Sequence, residues 1–355
     1  MNPVARRLLR TASSSVDRAV VVAMDLRNRR VRSRAEAMSH DERIARLAEI
    51  RAMYGAPELL GDVDAFFPRP AAVIPHVRRV RELPWGGECL QVSWSSASTP
   101  FEPSVRDAYI AHAPNRTAHA RLYVKTAAAG ARPAVIVVHG YLTGQWAIEE
   151  RAWPIEWLQR RGLDVAVAVL PFHGLRGRPE GGAPPFPGAD PRFTNEGFRQ
   201  AVSDLRVLAR LLHDRGAPCV GMMGVSLGGY VTSLMATLEP QLAFAAPLVP
   251  LASVADFARD HGRLGAGPQA DAQHAALEAA NLIVSPFARP SRLPASRILV
   301  VGAEGDRVTP VAHAARLAAH LGAPLVRAAG GHLVQVWRRE AFRGLRTMLE
   351  REGIL

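Results

Sequence analysis

The sequence of 355 residues is poor in cysteine and has no long apolar segment. Only Cys89 and Cys219 occur, far apart, so a disulfide framework is excluded and both thiols are expected to be reduced. No apolar run approaches the roughly 20 residues that a membrane-spanning helix needs. The N-terminal stretch is basic but lacks an apolar core followed by small residues, so we expect no signal peptide and a cytoplasmic protein.

Lysine is almost absent, because Lys125 is the single lysine and the formal net charge of +12 comes from arginine. A charge of this size can indicate a nucleic-acid partner. The arginines are spread along the chain, however, apart from runs at 27–34 and 78–81. No zinc-finger spacing or aromatic RNA-binding motif accompanies these runs. A solvated basic surface is therefore favoured, and no nucleic-acid partner is expected.

Residues 1–70 are predicted to form a helical N-terminal extension that ends in a linker. Ser39 and Glu42 have the spacing of a capping box and predict the start of a second helix. A proline-rich stretch at 66–75 indicates the linker. An apolar stripe at helical spacing marks the first helix, and it consists of Val16, Val20, Ala23 and Met24.

Two interpretations of the first helix remain open. Its apolar stripe would pack on the main domain, or the helix would make peripheral contact with an anionic membrane through its flanking arginines.

Residues 71–355 are predicted to form one α/β domain. Apolar, β-branched runs too hydrophobic to have a wet face alternate with helical stretches, which indicates a mostly parallel sheet with helices on both faces. The runs lie at 134–140, 164–174, 218–226, 243–250 and 297–306, and the helices between and after them at 146–161, 195–215, 227–238 and 309–321.

Two segments interrupt this alternation. The glycine- and proline-rich stretch at 174–193 predicts a long loop, and residues from 251 to about 293 exceed any simple connection. Long insertions in a compact domain are usually functional. Both follow strand C-termini, where open α/β sheets bind their ligands. We therefore expect a lid at 251–293.

The stretch "GMMGVSLGGY" places Ser226 between a strand and a helix. This G-x-S-x-G pattern predicts a nucleophile elbow, a sharp turn that exposes the serine hydroxyl. Gly224 and Gly228 would let strand and helix approach, and Gly229 would add room. The backbone N–H of Leu227 would point into the site from the helix N-terminus. Alone, the pattern is equally consistent with an unreactive serine in a tight turn.

A nucleophilic serine needs a base, and the base needs an orienting acid. Asp306 in "GAEGDRVTP" and His332 in "RAAGGHLVQ" follow later strands, giving the chain order Ser226, Asp306, His332 that is expected of a sheet of this kind. If each residue is considered on its own, the alternative is that Asp306 caps a helix and that His332 caps a turn. Glu304 and Asp256 are the competing acids, and Asp306 is preferred because Glu304 would still lie in the strand.

The second oxyanion donor should come from the loop after the first parallel strand, "HGYLTG", and we expect it to be the Tyr141 N–H beside that of Leu227. His139 in the same loop is interpreted as structural, as is His173 in "PFHG", with a place in the pocket as the alternative. The histidines lack ligand spacings such as H-E-x-x-H, so no metal and no cofactor are expected.

With these residues the chain resembles the α/β-hydrolase superfamily, in particular esterase- and lipase-like members with an N-terminal helical extension. The matching stretches are "VVHGYLTG", "VLPFHGLR", "GMMGVSLGGY", "VVGAEGDRVTP" and "GGHL", over roughly residues 76–355. The resemblance implies a Ser226–Asp306–His332 triad, oxyanion donors at Tyr141 and Leu227, and a small-molecule or lipid ester as substrate. Thioester, amide or peptide hydrolysis and a non-catalytic binding protein remain the alternatives, and the oligomeric state stays open.

Overall fold

The computed structural model describes residues 3–27, 38–96, 98–125, 130–178 and 181–355. The side chains at 3–6, 8, 20 and 23–27 are outside the description. The arginine run at 27–34, apart from the backbone of its first residue, therefore lies outside the described residues. So do the side chains of Val20, Ala23 and Met24, three of the four residues of the predicted stripe.

The described strands are β1 (His76–Glu82), β2 (Glu88–Ser95), β3 (Thr117–Val124), β4 (Ala134–Val138), β5 (Asp164–Ala168), β6 (Val220–Val225), β7 (Ala245–Leu248), β8 (Val300–Ala303) and β9 (Leu325–Ala328). They form one sheet in the order β1-β2-β3-β5-β4-β6-β7-β8-β9. The pairs β1–β2, β2–β3 and β3–β5 are antiparallel, and the remaining neighbours are parallel. The predicted mostly parallel sheet is confirmed.

The described helices are α1 (Pro3–Arg27), α2 (His40–Tyr54), α3 (Pro57–Gly61), α4 (Val63–Phe66), α5 (Pro103–Ile110), α6 (Trp146–Ala152), α7 (Ile155–Arg160), α8 (Pro191–Asp214), α9 (Leu227–Leu238), α10 (Val254–Asp260), α11 (Pro268–Ala280), α12 (Val311–His320) and α13 (Arg338–Arg351). The single helix predicted at 146–161 is wrong, since two helices meet at Trp153–Pro154. Proline has no N–H to continue the first helix, so the chain restarts after Pro154.

The core lies on both faces of the sheet, as full burial of the parallel strands requires. Side chains of β4 alternate between two apolar clusters, with Ile136 and Val138 in one and Val135 and Val137 in the other. All five residues of β4 are buried. Because neither face of this strand meets water, its sequence is continuously apolar rather than alternating.

The N-terminal extension packs on the rest of the chain through α2. The predicted capping box is present, with Ser39 and Glu42 each bonded to the other's backbone N–H. Arg43 donates to the side chain of Gln273 on α11 at 2.9 Å. The stretch predicted as a linker begins with Phe66 and Phe67, which are both fully buried in the core.

The described side chains of helix α1 include buried polar residues and exposed apolar ones. Ser13 and Asp17 are fully inaccessible, whereas Val16 is 44% and Val22 58% exposed. The expectation that the apolar stripe packs on the main domain is therefore wrong at Val16, because hydrogen bonds of the polar face dock this helix. Among the described helices none is long and apolar enough to span a membrane.

The segment 251–293 is helical, consisting of α10, α11 and short 3₁₀ turns. Its first backbone N–H, that of Leu251, donates to the carbonyl of Ser226 at 3.0 Å, so the segment starts against the turn at Ser226. The loop predicted at 174–193 is shorter than expected. Asp190 caps α8 by accepting from the Arg192 N–H, so that helix begins at Pro191.

Candidate active site

Ser226 occupies a strained turn between β6 and α9. Its φ of 58° and ψ of −114° lie in a region that side-chain-bearing residues rarely adopt. The backbone around it is held firmly, since its N–H donates to the Leu248 carbonyl at 3.0 Å and its own carbonyl accepts from Tyr230 N at 3.1 Å. The side chain is 8% exposed. This is the geometry predicted for a nucleophile elbow.

Three glycines make the turn sterically feasible. A Cβ at Gly224 would lie 2.2 Å from the carbonyl oxygen of Gly228, and a Cβ at Gly228 would lie 2.1 Å from that of Val138. A Cβ at Gly229 would lie 2.8 Å from Cα of Pro250. The backbone segments therefore approach more closely than any larger residue permits.

Asp306 and His332 are joined by a hydrogen bond. Nδ1 of His332 lies 2.8 Å from Oδ2 of Asp306. Their loops meet because β8 and β9 are parallel neighbours with adjacent C-terminal ends. The other carboxylate oxygen accepts from the N–H groups of Val308 and Thr309, both at 2.8 Å. The alternative interpretation of Asp306 as a helix cap is wrong, because α12 begins at Val311 and its N-cap is Pro310. Asp306 instead fixes the turn at Val308 and Thr309 and holds the imidazole.

The carboxylate partner determines the protonation of His332. An acceptor at Nδ1 requires the proton on that nitrogen, which leaves Nε2 as the basic atom of the neutral ring. Burial lowers the pKa of His332, but the carboxylate of Asp306 and, to a lesser extent, that of Asp17 raise it, and the net pKa lies above the ordinary value of 6.5.

The competing acids have other partners. Glu304 continues the strand pairing, its N–H donating to the Ala328 carbonyl at 3.0 Å. Asp256 lies on α10 and pairs with His274 at 2.8 Å and with Arg316. Asp256, His274 and Glu278 also approach within 4.8 Å of one another. The Arg316 guanidinium pairs with both carboxylates there, so a cation of the chain already binds this cluster.

The loop after β4 reaches the serine. A Cβ at Gly140 would lie 3.5 Å from Cβ of Ser226, which brings the Tyr141 peptide to the elbow. Thr143 tightens the loop by donating to the Gly140 carbonyl at 2.9 Å, and Leu142 has a φ of 64°. Leu227 is the first residue of α9, so its N–H belongs to the unpaired positive end of that helix.

His139 supports this loop from beneath. Its Nε2 accepts from the Leu170 N–H at 3.0 Å, and its Nδ1 donates to the Gly140 carbonyl at 2.7 Å. Burial lowers the pKa of His139, so the ring is neutral. With both nitrogens engaged, the imidazole holds the strand end of β4 against that of β5, in line with a structural role.

His173 packs beside the same loop, with its ring centroid 5.3 Å from that of His139 and 5.6 Å from that of Tyr141. Its Nδ1 donates to the Pro171 carbonyl at 2.8 Å. Burial lowers the pKa of His173 to about 3. The neutral ring lies in the wall formed by the loops that follow β4 and β5.

Two residues of this region were not predicted from the sequence. Asp17 on α1 accepts from the backbone N–H of His332 at 2.7 Å, although 315 residues separate the two positions. Thr309 donates to the Val249 carbonyl at 2.9 Å, and its hydroxyl lies 3.2 Å from Oδ2 of Asp306. Only the spacing of Asp306 and Thr309, which is that of a helix cap and its third residue, would have indicated the second contact.

No protein-family model matches the chain. Two uncharacterized proteins of Mycobacterium tuberculosis, from strains CDC 1551 / Oshkosh and ATCC 25618 / H37Rv, are each 33% identical to it over 233 residues. The match covers 63% of this chain and 55% of theirs, so the chain spans about half the length of the curated relatives it matches.

Two solved structures share the fold. An acetyl xylan esterase from Paenibacillus sp. R4 has a TM-score of 0.55 and 17% identity, with 82% of this chain and 92% of that chain covered. Acetyl xylan esterase 1 from Thermoanaerobacterium sp. JW/SL YS485 has a TM-score of 0.54 and 17% identity, with 85% and 98% covered. Both are α/β-hydrolases. The protein therefore has the α/β-hydrolase fold.

Proposed function

We propose that the protein is a serine hydrolase that cleaves a carboxylic ester. The observation that carries this proposal is the 2.8 Å hydrogen bond between Asp306 and His332, made at the same edge of the sheet as the strained turn of Ser226. A buried carboxylate that fixes one imidazole nitrogen leaves the other available as a base, which is what a serine nucleophile requires.

In the proposed mechanism, Ser226 Oγ attacks the acyl carbonyl and Nε2 of His332 takes its proton. The carboxylate of Asp306 orients the ring and stabilises the imidazolium. The N–H groups of Tyr141 and Leu227 bind the oxyanion. Nε2 then protonates the departing alkoxide, leaving an acyl group on Ser226. A water molecule, deprotonated by the same nitrogen, then attacks this acyl group. The bond between the acyl carbon and Oγ breaks, Nε2 returns the proton to Oγ, and the carboxylic acid leaves the free serine.

The names of the structurally similar proteins favour an ester over a thioester, an amide or a peptide as the substrate. Both solved structures with a TM-score above one half are named as acetyl xylan esterases. Thioesters, amides and peptides are cleaved by the same kind of machinery, and fold alone does not choose among them. The substrate class is therefore proposed as a carboxylic ester of a small molecule or a lipid, with no cofactor, metal or nucleic acid involved.

The N-terminal helix packs on the main domain, and we propose that its exposed side also makes peripheral contact with a membrane. Its exposed Val16 and Val22 would form the apolar contact, beside the exposed arginines Arg10 and Arg18. Flotation with anionic liposomes tests this, and a Val16→Asp, Val22→Asp variant that floats like the wild type would contradict it. We also propose that the hydrolase is cytoplasmic and that residues 251–293 form a lid over its active site.

Labelling with a fluorophosphonate probe tests the catalytic proposal. The wild type should be labelled and Ser226→Ala should not. Ser233→Ala is the matched control, since this buried serine of α9, the helix that follows Ser226, donates to the Gly229 carbonyl at 2.9 Å, and the variant should be labelled like the wild type.

A panel of p-nitrophenyl esters from acetyl to palmitoyl, with a thioester and a p-nitroanilide, then ranks the bond and the acyl length. Folded wild-type protein that is neither labelled nor active would favour the binding-protein alternative.

A further inference from the structure

Helix α1 lies across the two loops that carry Asp306 and His332. Asp17 of this helix accepts three backbone N–H groups, those of His332 at 2.7 Å, Leu333 at 3.1 Å and Arg307 at 3.2 Å. One carboxylate thus joins the residue after Asp306 to the backbone of His332 itself. In the described chain, α1 is the one segment distant in sequence whose side chain forms hydrogen bonds with both the loop of Asp306 and the loop of His332.

A second contact strengthens the link on the side of the acid. Ser14, one turn before Asp17, donates its hydroxyl to the Gly305 carbonyl at 2.9 Å and lies 3.3 Å from Nε of Arg307. Gly305 directly precedes Asp306 in the chain. The helix therefore holds the peptide on either side of the acid, at residues 305 and 307.

Both loops have a glycine where α1 approaches them. A Cβ at Gly331 would lie 2.6 Å from Oδ2 of Asp17 and 2.9 Å from Cβ of Ser13. A Cβ at Gly305 would lie 2.9 Å from the carbonyl oxygen of Arg10. Contacts this short are not tolerated by any larger residue, so these loops are shaped to receive the helix.

A buried carboxylate is a costly way to dock a helix. Asp17 is fully inaccessible, and an unpaired buried charge destabilises a fold unless hydrogen bonds compensate it. Three backbone N–H groups do so here, and such charge-assisted bonds are stronger and more directional than apolar contact. Among the described side chains of this helix, Val16 and Val22 are exposed, so these two valines do not dock it.

From these contacts we propose that Asp17 is a positioning residue, which fixes the backbone of the acid and base loops so that Asp306 and His332 keep their geometry. The inference rests on the proposed hydrolase function. Asp17 touches neither substrate nor reacting atoms and acts through His332. The negative charge adds an electrostatic effect: burial lowers the pKa of His332, and the charge of Asp17 adds to that of Asp306 in raising it.

The test compares Asp17→Asn and Asp17→Ala with the wild type, as full chains, by ester hydrolysis over a range of pH. Misplacement of a catalytic group by about 1 Å can cost about 100-fold in rate, so we expect kcat of Asp17→Ala to fall about 10- to 100-fold. KM should change less than about twofold, because substrate binding is untouched. In Asp17→Asn the acid limb of the pH–rate profile should move to lower pH, since one charge that favours the imidazolium is gone.

Among the described residues, the charged groups in or against the two loops are Glu304, Asp306, Arg307, Asp17 and Arg338, of which Arg338 bonds the side chain of Gln335. Of these charged groups, only Asp306 and Asp17 bond His332 itself, so a shift of the acid limb in Asp17→Asn reports the contact with Asp17. Glu196→Gln is the matched control. Glu196 is another buried carboxylate that accepts two backbone N–H groups, those of Phe101 at 2.9 Å and Glu102 at 3.0 Å, in a different part of the molecule. Its loss should lower the melting temperature and leave the acid limb in place. If the acid limb of the pH–rate profile also stays in place in folded Asp17→Asn, the inference is overturned.

A second measurement does not depend on catalysis. The pKa of the His332 imidazole is followed by NMR in the wild type and in Asp17→Asn, with His332→Gln to assign the signal. A lower pKa in Asp17→Asn supports the inference, and an unchanged pKa contradicts it. If wild-type Ser226 is not labelled by the fluorophosphonate, the hydrolase proposal fails while this titration still decides the contact. If Asp17→Asn does not fold, Ser14→Ala tests the acid side, where a folded variant with wild-type kcat would count against the proposal.

Discussion

The Oδ2 atom of Asp306 lies 2.8 Å from Nδ1 of His332, and the two residues belong to loops that follow adjacent parallel strands. Each loop is short, and each begins where its strand ends at the same edge of the sheet. Parallel pairing of β8 with β9 thus brings together an acid and an imidazole that 26 residues separate in the chain.

The hydrolytic rate should fall in acid as His332 becomes protonated. Burial lowers the pKa of His332, but Asp306 and Asp17 hold it above 6.5, so the acid limb of kcat/KM should lie above that value. Only the neutral ring accepts the serine proton, so activity is high above this pKa and is lost below it. Asp306→Asn should lower kcat by about 10⁴-fold and move the limb to lower pH. A limb that stays in place in this variant would show that Asp306 does not set the charge of His332.

Ser226→Gly should stabilise the fold while abolishing activity. A side-chain-bearing residue at a φ of 58° costs about 1–3 kcal/mol, part of which glycine recovers, so the free energy of unfolding should rise by about 1 kcal/mol. Urea unfolding measures this change. Ser233→Gly, in the middle of the same helix, should instead lose about 0.5–1 kcal/mol. Equal losses at the two positions would contradict strain at Ser226.

Gly228→Ala should strongly destabilise the protein. The added Cβ would lie 2.1 Å from the carbonyl oxygen of Val138 and 2.7 Å from that of His139, which are backbone atoms of buried residues and cannot move aside as a flexible side chain could. Overpacking of this kind costs about 1–3 kcal/mol or more. Gly61→Ala is the control, since nothing lies within 4 Å of its Cβ, and it should be neutral or slightly stabilising. Thermal unfolding of the two variants compares them directly.

His139→Gln should lower stability and rate without moving the acid limb. Both ring nitrogens of His139 are bonded to backbone, to Leu170 N at 3.0 Å and to the Gly140 carbonyl at 2.7 Å, so its loss loosens the loop of Tyr141. An unsatisfied buried N–H costs about 1–3 kcal/mol. Because burial keeps the pKa of His139 low, the ring does not titrate with the reaction. A shift of the limb in this variant would instead identify His139 as a second base.

The sequence was sufficient for the elements whose signals are local. Ser226 with its flanking glycines, the continuous apolar runs of β4 and β6, and the capping box at Ser39 each depend on neighbours in the chain, and the structure has all of them. The triad remains a prediction, although the bond between Asp306 and His332 agrees with it. The order of loops along a parallel sheet made that pair foreseeable, since strand ends of one direction meet at one edge.

Tertiary structure alone decided what helix α1 does. An apolar stripe at helical spacing predicts the buried face of a helix when the burial of apolar surface alone decides how the helix packs. Here three backbone N–H groups of the loops at Arg307, His332 and Leu333 need an acceptor, and Asp17 supplies it from the far end of the chain. The hydrogen bonds that Asp17 accepts from these three groups outweigh the burial of the exposed Val16 and Val22, because an unmet donor such as the buried N–H of His332 costs about as much as a lost apolar contact. No pattern within the helix itself encodes that partner.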